Sequence, residues 1–241
     1  MLVDTPPESG AEFAPHFLSG FQTWRADSPE LEQAYRLRFE VYCLDCGFLD
    51  AANYTLPRET DAYDDSSVHA FAYNLGGELV GYVRLVQFDA QRRFPWQLHC
   101  RNLLPGVALP PGAASAEVSR LMVRRDYRRR KTDLIAGVDT AQNMDGDEGG
   151  ERRRRSPQIM LSLYRRMYQY SRPAGVRYWY AAMERPLARA LQAMGFTFRQ
   201  IGEETDYFGP VAPYLADLVE LETVLQARCP ELLAWMQAPA R

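Results

Sequence analysis

Ala116-Glu117-Val118-Ser119-Arg120-Leu121-Met122-Val123 has the pattern of a buried strand, yet it carries a carboxylate and a guanidinium three residues apart. An unpaired buried charge is costly, so ionised groups in such a strand imply partners. Upstream, three more charged features stand in apolar surroundings: Arg38, the run Glu59-Thr60-Asp61-Ala62-Tyr63-Asp64, and Arg84. These groups are expected to line one site. In a regular strand Glu117, Ser119 and Leu121 share a face and Arg120 points to the other. A β-bulge would let Glu117 and Arg120 converge.

On the N-terminal side of this strand, Ser28-Pro29-Glu30 signals a helix start, with Ser as N-cap and Pro at the first helical position. Leu31, Tyr35, Phe39, Tyr42 and Cys46 then fall on one stripe at helical spacing, with Arg38 at its edge and Arg36 pointing away. Four carboxylates within Glu59–Asp65 make a polar turn. Val68–Tyr73, Gly76-Gly77 and Leu79–Val86 read as a β-hairpin, with Arg84 on the face of Val80, Tyr82 and Val86. Phe21–Trp24 is a candidate first strand, and a Pro-rich connection leads from the hairpin to residue 116.

On the C-terminal side, residues 124–157 read as a long loop with basic clusters around an acidic, Gly-rich centre, suited to an acidic partner or a phosphate. An amphipathic helix follows over Ile159–Ser171, then a buried strand over Gly175–Met183 and a helix opened by Glu184-Arg185-Pro186. Phe196–Ile201 reads as a further strand, and a helical tail closes the chain. The expected organisation is a mobile arm over 1–20, one domain over 21–215 and a helical tail over 216–241.

With 46% hydrophobic and 24% charged residues the composition is that of a soluble globular chain. A net charge of −3 argues against a nucleic-acid binder, and no apolar run is long enough for a membrane span. The N-terminus lacks a secretory pattern, and four cysteines in 241 residues are no disulfide scaffold, so a cytoplasmic setting is expected. Cys43-x-x-Cys46 ends a helix and has no second pair at ligand spacing. It reads as two ordinary helix cysteines, and no metal site is expected.

The order helix, acidic loop, hairpin, Glu-containing strand, helix, strand, helix, strand resembles the GNAT N-acyltransferase type. That resemblance implies an α/β fold, an α-β-α sandwich on a central mixed, largely antiparallel sheet. Arg38 with Tyr42 and Phe48, Glu59-x-Asp61-x-Tyr-Asp64, Gly81-x-x-Arg84-Leu and Glu117-x-Ser119-Arg120 resemble the acyl-homoserine-lactone synthases and the long-chain N-acyl amino acid synthases. Several later stretches, such as Arg152-Arg-Arg-Arg-x-Pro157, Tyr178-Trp-Tyr-Ala-x-Met-Glu184 and Tyr207-x-Gly209-x-x-x-Pro213-Tyr214, are similar to the PEP-CTERM/exosortase system-associated acyltransferases. Tyr42 and Phe48 stand where the lactone synthase pattern has Phe and Trp, which weighs against a homoserine lactone product. No Gly-x-Gly turn follows the Glu117 strand to cradle a coenzyme A pyrophosphate. Arg124–Arg130 takes that place and would suit an acidic carrier protein.

The resemblance implies transfer of a medium- or long-chain acyl group from acyl carrier protein or coenzyme A to a small amine, an amino acid or a derivative of one. The acyl thioester is a co-substrate, and no bound cofactor is implied. Glu117 is the candidate base, acting directly or through water, with Arg120 and Asp64 beside it as catalytic candidates. Substrate-binding candidates are Arg38, Tyr42, Phe48, Glu59, Asp61, Arg84 and Ser119. Asp61 and Asp64 either position the ammonium group or orient Arg38 and Arg84, and those arginines alternatively bind a substrate carboxylate. Backbone N–H groups near Ser119–Leu121 are the simplest oxyanion donors. The rival readings are a lactone-type autoinducer synthase, a buried ion network of Arg38, Arg84 and Arg120 against Asp61, Asp64 and Glu117, or a non-catalytic acyl- or lipid-binding module.

Overall fold

A computed structural model describes residues 28–74, 76–127, 156–207 and 209–239, leaving aside the side chains of 156–158. The arm over 1–20, the candidate strand at Phe21–Trp24 and most of the 124–157 loop lie outside these residues. Seven strands form a mixed, mostly antiparallel sheet with flanking helices, in the order β1-β2-β3-β4-β7-β5, with β6 paired to β7. The strands are β1 (Ser67–Tyr73), β2 (Leu79–Gln87), β3 (Ser115–Val123), β4 (Tyr178–Met183), β5 (Arg199–Gln200), β6 (Thr205–Asp206) and β7 (Pro210–Asp217). The described residues divide into two compact units, one built from 28–84 with 120–127 and 156–166, the other from 85–119 with 167–239.

In the unit that holds Arg38, helix α1 (Pro29–Phe39) starts where the Ser28 hydroxyl accepts the Leu31 N–H at 3.2 Å. Glu30 and Glu32 lie at its positive end and Arg36 and Arg38 at its negative end, as the helix dipole favours. A π-helical turn, Glu40–Asp45, continues it, with the Cys46 N–H donating to the Val41 carbonyl at 3.0 Å. The buried face runs through Leu31, Ala34, Tyr35, Arg38 and Val41, whereas Phe39, Tyr42 and Cys46 are only half-buried. Arg38 therefore belongs to the buried face rather than to its edge. Positions 31, 34, 38 and 41 keep helical spacing too, and neutralising partners make a buried guanidinium tolerable there. Arg36 is exposed and pairs with Glu32 at 2.9 Å, as its spacing predicts.

The hairpin turns at Gly77, whose φ of +77° suits glycine, and the Asn74 N–H donates to the Glu78 carbonyl at 3.0 Å. Gly81 lets β2 approach helix α3 (Ser156–Ser171) closely, since a Cβ there would lie 2.5 Å from the Ile159 Cγ2.

In the other unit, a short helix α2 (Pro95–His99) precedes β3, and α4 (Arg185–Ala193) follows β4. Two expectations are corrected. The strand expected over Phe196–Ile201 is reduced to Arg199–Gln200, because the Phe198 N–H turns back to the Phe196 carbonyl at 2.9 Å. The strand β7 was not anticipated between the strand expected at Phe196–Ile201 and the helical tail, yet it pairs along the whole of β4 from Tyr178↔Asp217 to Met183↔Ala212. Pro213 lacks an N–H, but its carbonyl accepts the Ile201 N–H at 2.9 Å, so the strand survives its prolines. Asp217 ends β7 and caps helix α5 (Leu218–Arg228) through the Val219 N–H at 2.9 Å, and α6 (Pro230–Gln237) follows.

Candidate functional site

Three arginines and three carboxylates meet inside the unit that holds Arg38. From α1, the Arg38 guanidinium donates through Nε to Glu59 and through Nη1 to Asp64 Oδ1 at 2.6 Å. From β2, Arg84 Nη1 reaches Asp61 Oδ1 and Asp64 Oδ1, each at 2.6 Å. From β3, Arg120 Nη2 reaches Glu59 Oε1 at 3.1 Å and Asp61 Oδ2 at 3.0 Å. The formal charges cancel. The acidic loop is itself tied down, with the Asp61 N–H donating to Asp64 Oδ2 at 2.7 Å and the Tyr63 N–H to Asp61 Oδ1 at 2.8 Å.

The cluster has a buried and an open side. Arg38 and Arg84 side chains are fully buried, whereas Asp61 is 24% and Arg120 15% exposed. Arg120 lies over the Tyr42 ring at 5.2 Å, and Tyr42 meets Phe48 with ring centroids 6.3 Å apart. Burial alone would raise the carboxyl pKa values. The guanidinium ions outweigh it: Arg38 and Arg120 hold Glu59 below the usual range, and Arg38 and Arg84 do the same for Asp64. Arg84, with Arg120 and Arg38, likewise overcomes burial at Asp61 and holds it well below that range.

His69 on β1 buttresses the loop from beneath. Its Nε2 lies 3.1 Å from the Asp64 carbonyl and its Nδ1 2.7 Å from the Tyr82 hydroxyl. A carbonyl only accepts, so Nε2 carries the hydrogen, and neutral Nδ1 accepts from Tyr82. Burial pushes the imidazole pKa down to about 4, against the opposing pull of the Asp64 carbonyl.

Glu117 belongs to the other unit. Its Oε2 accepts the Trp96 backbone N–H at 3.0 Å, and the residue is 3% exposed. In the expected ion network its place is taken by Glu59. A carboxylate also pairs with a backbone N–H at a helix start, a partner that side-chain patterning does not reveal. Burial first, and then the Glu117 charge, pushes the Cys100 thiol up to about 11, so this cysteine stays protonated. Ser119 is buried on the same strand. Cys43 and Cys46 are free thiols, and no metal-ligating cluster occurs among the described residues.

Strand β3 carries Glu117 and Arg120. Its parallel ladder with β4 runs over Ser115↔Tyr178, Ala116↔Trp179 and Glu117↔Tyr180 and then ends. β4 continues to Met183, paired over Ala181–Met183 with β7 and, among the described residues, with no other strand. Arg120 has φ of +54°, the left-handed region that non-glycine residues rarely adopt. With this backbone the Arg120 guanidinium donates to Glu59 and Asp61, and Glu117 accepts the Trp96 N–H. Trp96, Tyr180, His69 and Tyr82 were not singled out from sequence. The only signal was the Pro95 helix start for Trp96, and strand-face alternation for the others.

The family model described as Acetyltransferase (GNAT) domain matches residues 37–137. The fold is that of GNAT acyltransferases. The match identifies the enzyme class expected from the sequence, an acyltransferase. Among solved structures, TofI in a ternary complex with an inhibitor and MTA is 15% identical with a TM-score of 0.57, covering 83% of this chain and 94% of its own. The CoA-dependent acyl-homoserine lactone synthase BjaI, with SAM and isopentyl-CoA, is 18% identical with a TM-score of 0.56, covering 87% and 83%. FeeM, an N-acyl amino acid synthase from uncultured soil microbes, is 16% identical with a TM-score of 0.54, covering 88% and 96%. At such identities the likeness is one of fold. No curated protein sequence matches the chain. No helix among the described residues is long and apolar enough to cross a membrane.

Two outcomes test the cluster. Arg38→Lys keeps the charge but cannot span Glu59 and Asp64 as a planar fork does, so urea denaturation should show a loss of about 2–3 kcal/mol. His69 has a folded pKa below its ordinary value, so the unfolded chain takes the extra proton. Its stabilising effect is therefore complete above about pH 7 and lost as pH falls from about 6.5 towards 4, on the order of 3 kcal/mol in all. Glu59, Asp61 and Asp64 act at lower pH, their contribution being lost only as pH falls below about 4. Urea midpoints between pH 4.5 and 7.5 should slope in the wild type and flatten in His69→Gln.

Proposed function

We propose that this chain is an N-acyltransferase that moves a medium- or long-chain acyl group from an acyl carrier protein or coenzyme A thioester to the amine of an amino acid or a derivative of one. The observation that carries this reading is the end of the β3–β4 ladder at Glu117↔Tyr180, with a buried carboxylate on the last rung of a GNAT fold. Backbone N–H groups of β3 beyond that rung are the donors we assign to a thioester carbonyl.

The amine, mostly protonated near neutral pH, must lose a proton to attack. Glu117 takes it, directly or through water, while the nitrogen bonds to the carbonyl carbon. The tetrahedral intermediate then expels the thiolate, which leaves with a proton, and no covalent enzyme intermediate forms. Arg120 and Asp64 act by position, with Arg38, Arg84, Glu59 and Asp61 fixing the Arg120 end of β3 and the acidic loop. The partly exposed edge of Asp61 and Arg120, with Arg120 over Tyr42 and Tyr42 against Phe48, is a polar surface for an acceptor. Tyr42 and Phe48 favour an amino acid acceptor over a homoserine lactone product, and the resemblance of the later motifs supports a likeness to the exosortase-associated acyltransferases.

Mass spectrometry of organic extracts from cells expressing the wild type should show a new N-acyl species. In Glu117→Gln, with thermal unfolding unchanged, that species should fall by about a hundredfold or more. Equal amounts from both would remove Glu117 as the base.

A further inference from the structure

The Trp96 indole is 2% exposed, and its Nε1–H has no hydrogen-bond partner among the described residues. Trp96 is also the residue whose backbone N–H holds Glu117, so its place beside the last rung of the β3–β4 ladder is fixed by a hydrogen bond of 3.0 Å. Its ring packs on Tyr180, the other half of that rung, with centroids 5.0 Å apart and planes inclined by 34°. Phe94 packs on Tyr180 at 5.5 Å, and Phe88 on Phe94 at 6.3 Å. The aromatic row thus begins at Phe88, 44% exposed, and ends at buried Trp96.

An indole N–H only donates, and leaving such a donor buried and unmade is costly. Tyrosine and tryptophan in cores ordinarily place their polar atoms against a partner. Here the orphan donor stands at the buried end of this aromatic row. The chemistry that such a row recognises is an apolar chain bearing one acceptor oxygen.

Building on the acyltransferase reading above, we propose that the Trp96 Nε1–H donates a hydrogen bond to an oxygen of the donor's acyl group. Two oxygens share this chemistry: the thioester carbonyl itself, and an oxo or hydroxyl substituent further along the chain. In the first case Trp96 orients the carbonyl for attack. In the second it selects oxygenated over saturated chains.

Three non-hydrolysable pantetheine thioethers of equal chain length separate the outcomes by titration calorimetry on the full chain. One carries no carbonyl, one carries it on the carbon next to the S-CH2 group, and one carries it two carbons further on. Wild-type protein should bind one of the two ketones about tenfold more tightly than the plain thioether, and which one names the oxygen. Trp96→Phe keeps the ring stack and deletes only the donor, so it should bring that ketone to the affinity of the plain thioether. A merely structural role would weaken all three alike and leave the ratio unchanged, which overturns the proposal. So does equal binding of all three by the wild type, although acyl recognition would then stand. Failure of the wild type to bind any of them removes the acyl-thioester reading and this inference with it.

Discussion

Burying a guanidinium costs several kcal/mol unless carboxylates neutralise it with good geometry. The unit around Arg38 meets that condition with Arg38, Arg84 and Arg120 set against Glu59, Asp61 and Asp64. Each arginine arrives on a different element: α1, β2 and the far end of β3. The carboxylates come from one loop, which therefore cannot move without uncovering charge. Such a network contributes little net stability relative to an apolar core, but breaking one member leaves the rest unpaired, so it enforces a single arrangement. His69 adds to that constraint by holding the Asp64 carbonyl from beneath.

The constraint extends to the backbone of β3. A left-handed φ at a non-glycine residue is held only when its surroundings over-determine it. The bonds from Arg120 to Glu59 and Asp61 supply that hold. The ladder with β4 ends before Arg120, at the rung where Glu117 is buried.

Much of this was legible in the residues. Ser28-Pro29 fixed the start of α1, the paired glycines fixed the hairpin, and the charged positions of the Glu59–Asp64 run, Arg38, Arg84 and Arg120 assemble as ions in an apolar setting should. What was not legible has physical causes. Helical spacing alone admits two stripes through α1, and only the partners of Arg38 decide that it is the buried one. A central strand carrying Pro210 and Pro213 was not singled out, because a lost donor is visible in sequence while an accepting carbonyl is not. Only the rival ion-network reading set Glu117 against the arginines, because side-chain patterns show charge complementarity, whereas a bond to the Trp96 backbone N–H leaves no mark in such patterns.

The most direct measurement is thiol release by the purified chain from long-chain acyl thioesters, followed together with amide formation across a panel of amino acid amines. Direct attack predicts release that depends on the amine, one amide formed per thiol, and no acylated protein in the intact mass spectrum. Thiol release without amine, or an acyl group retained on the protein, would contradict the account.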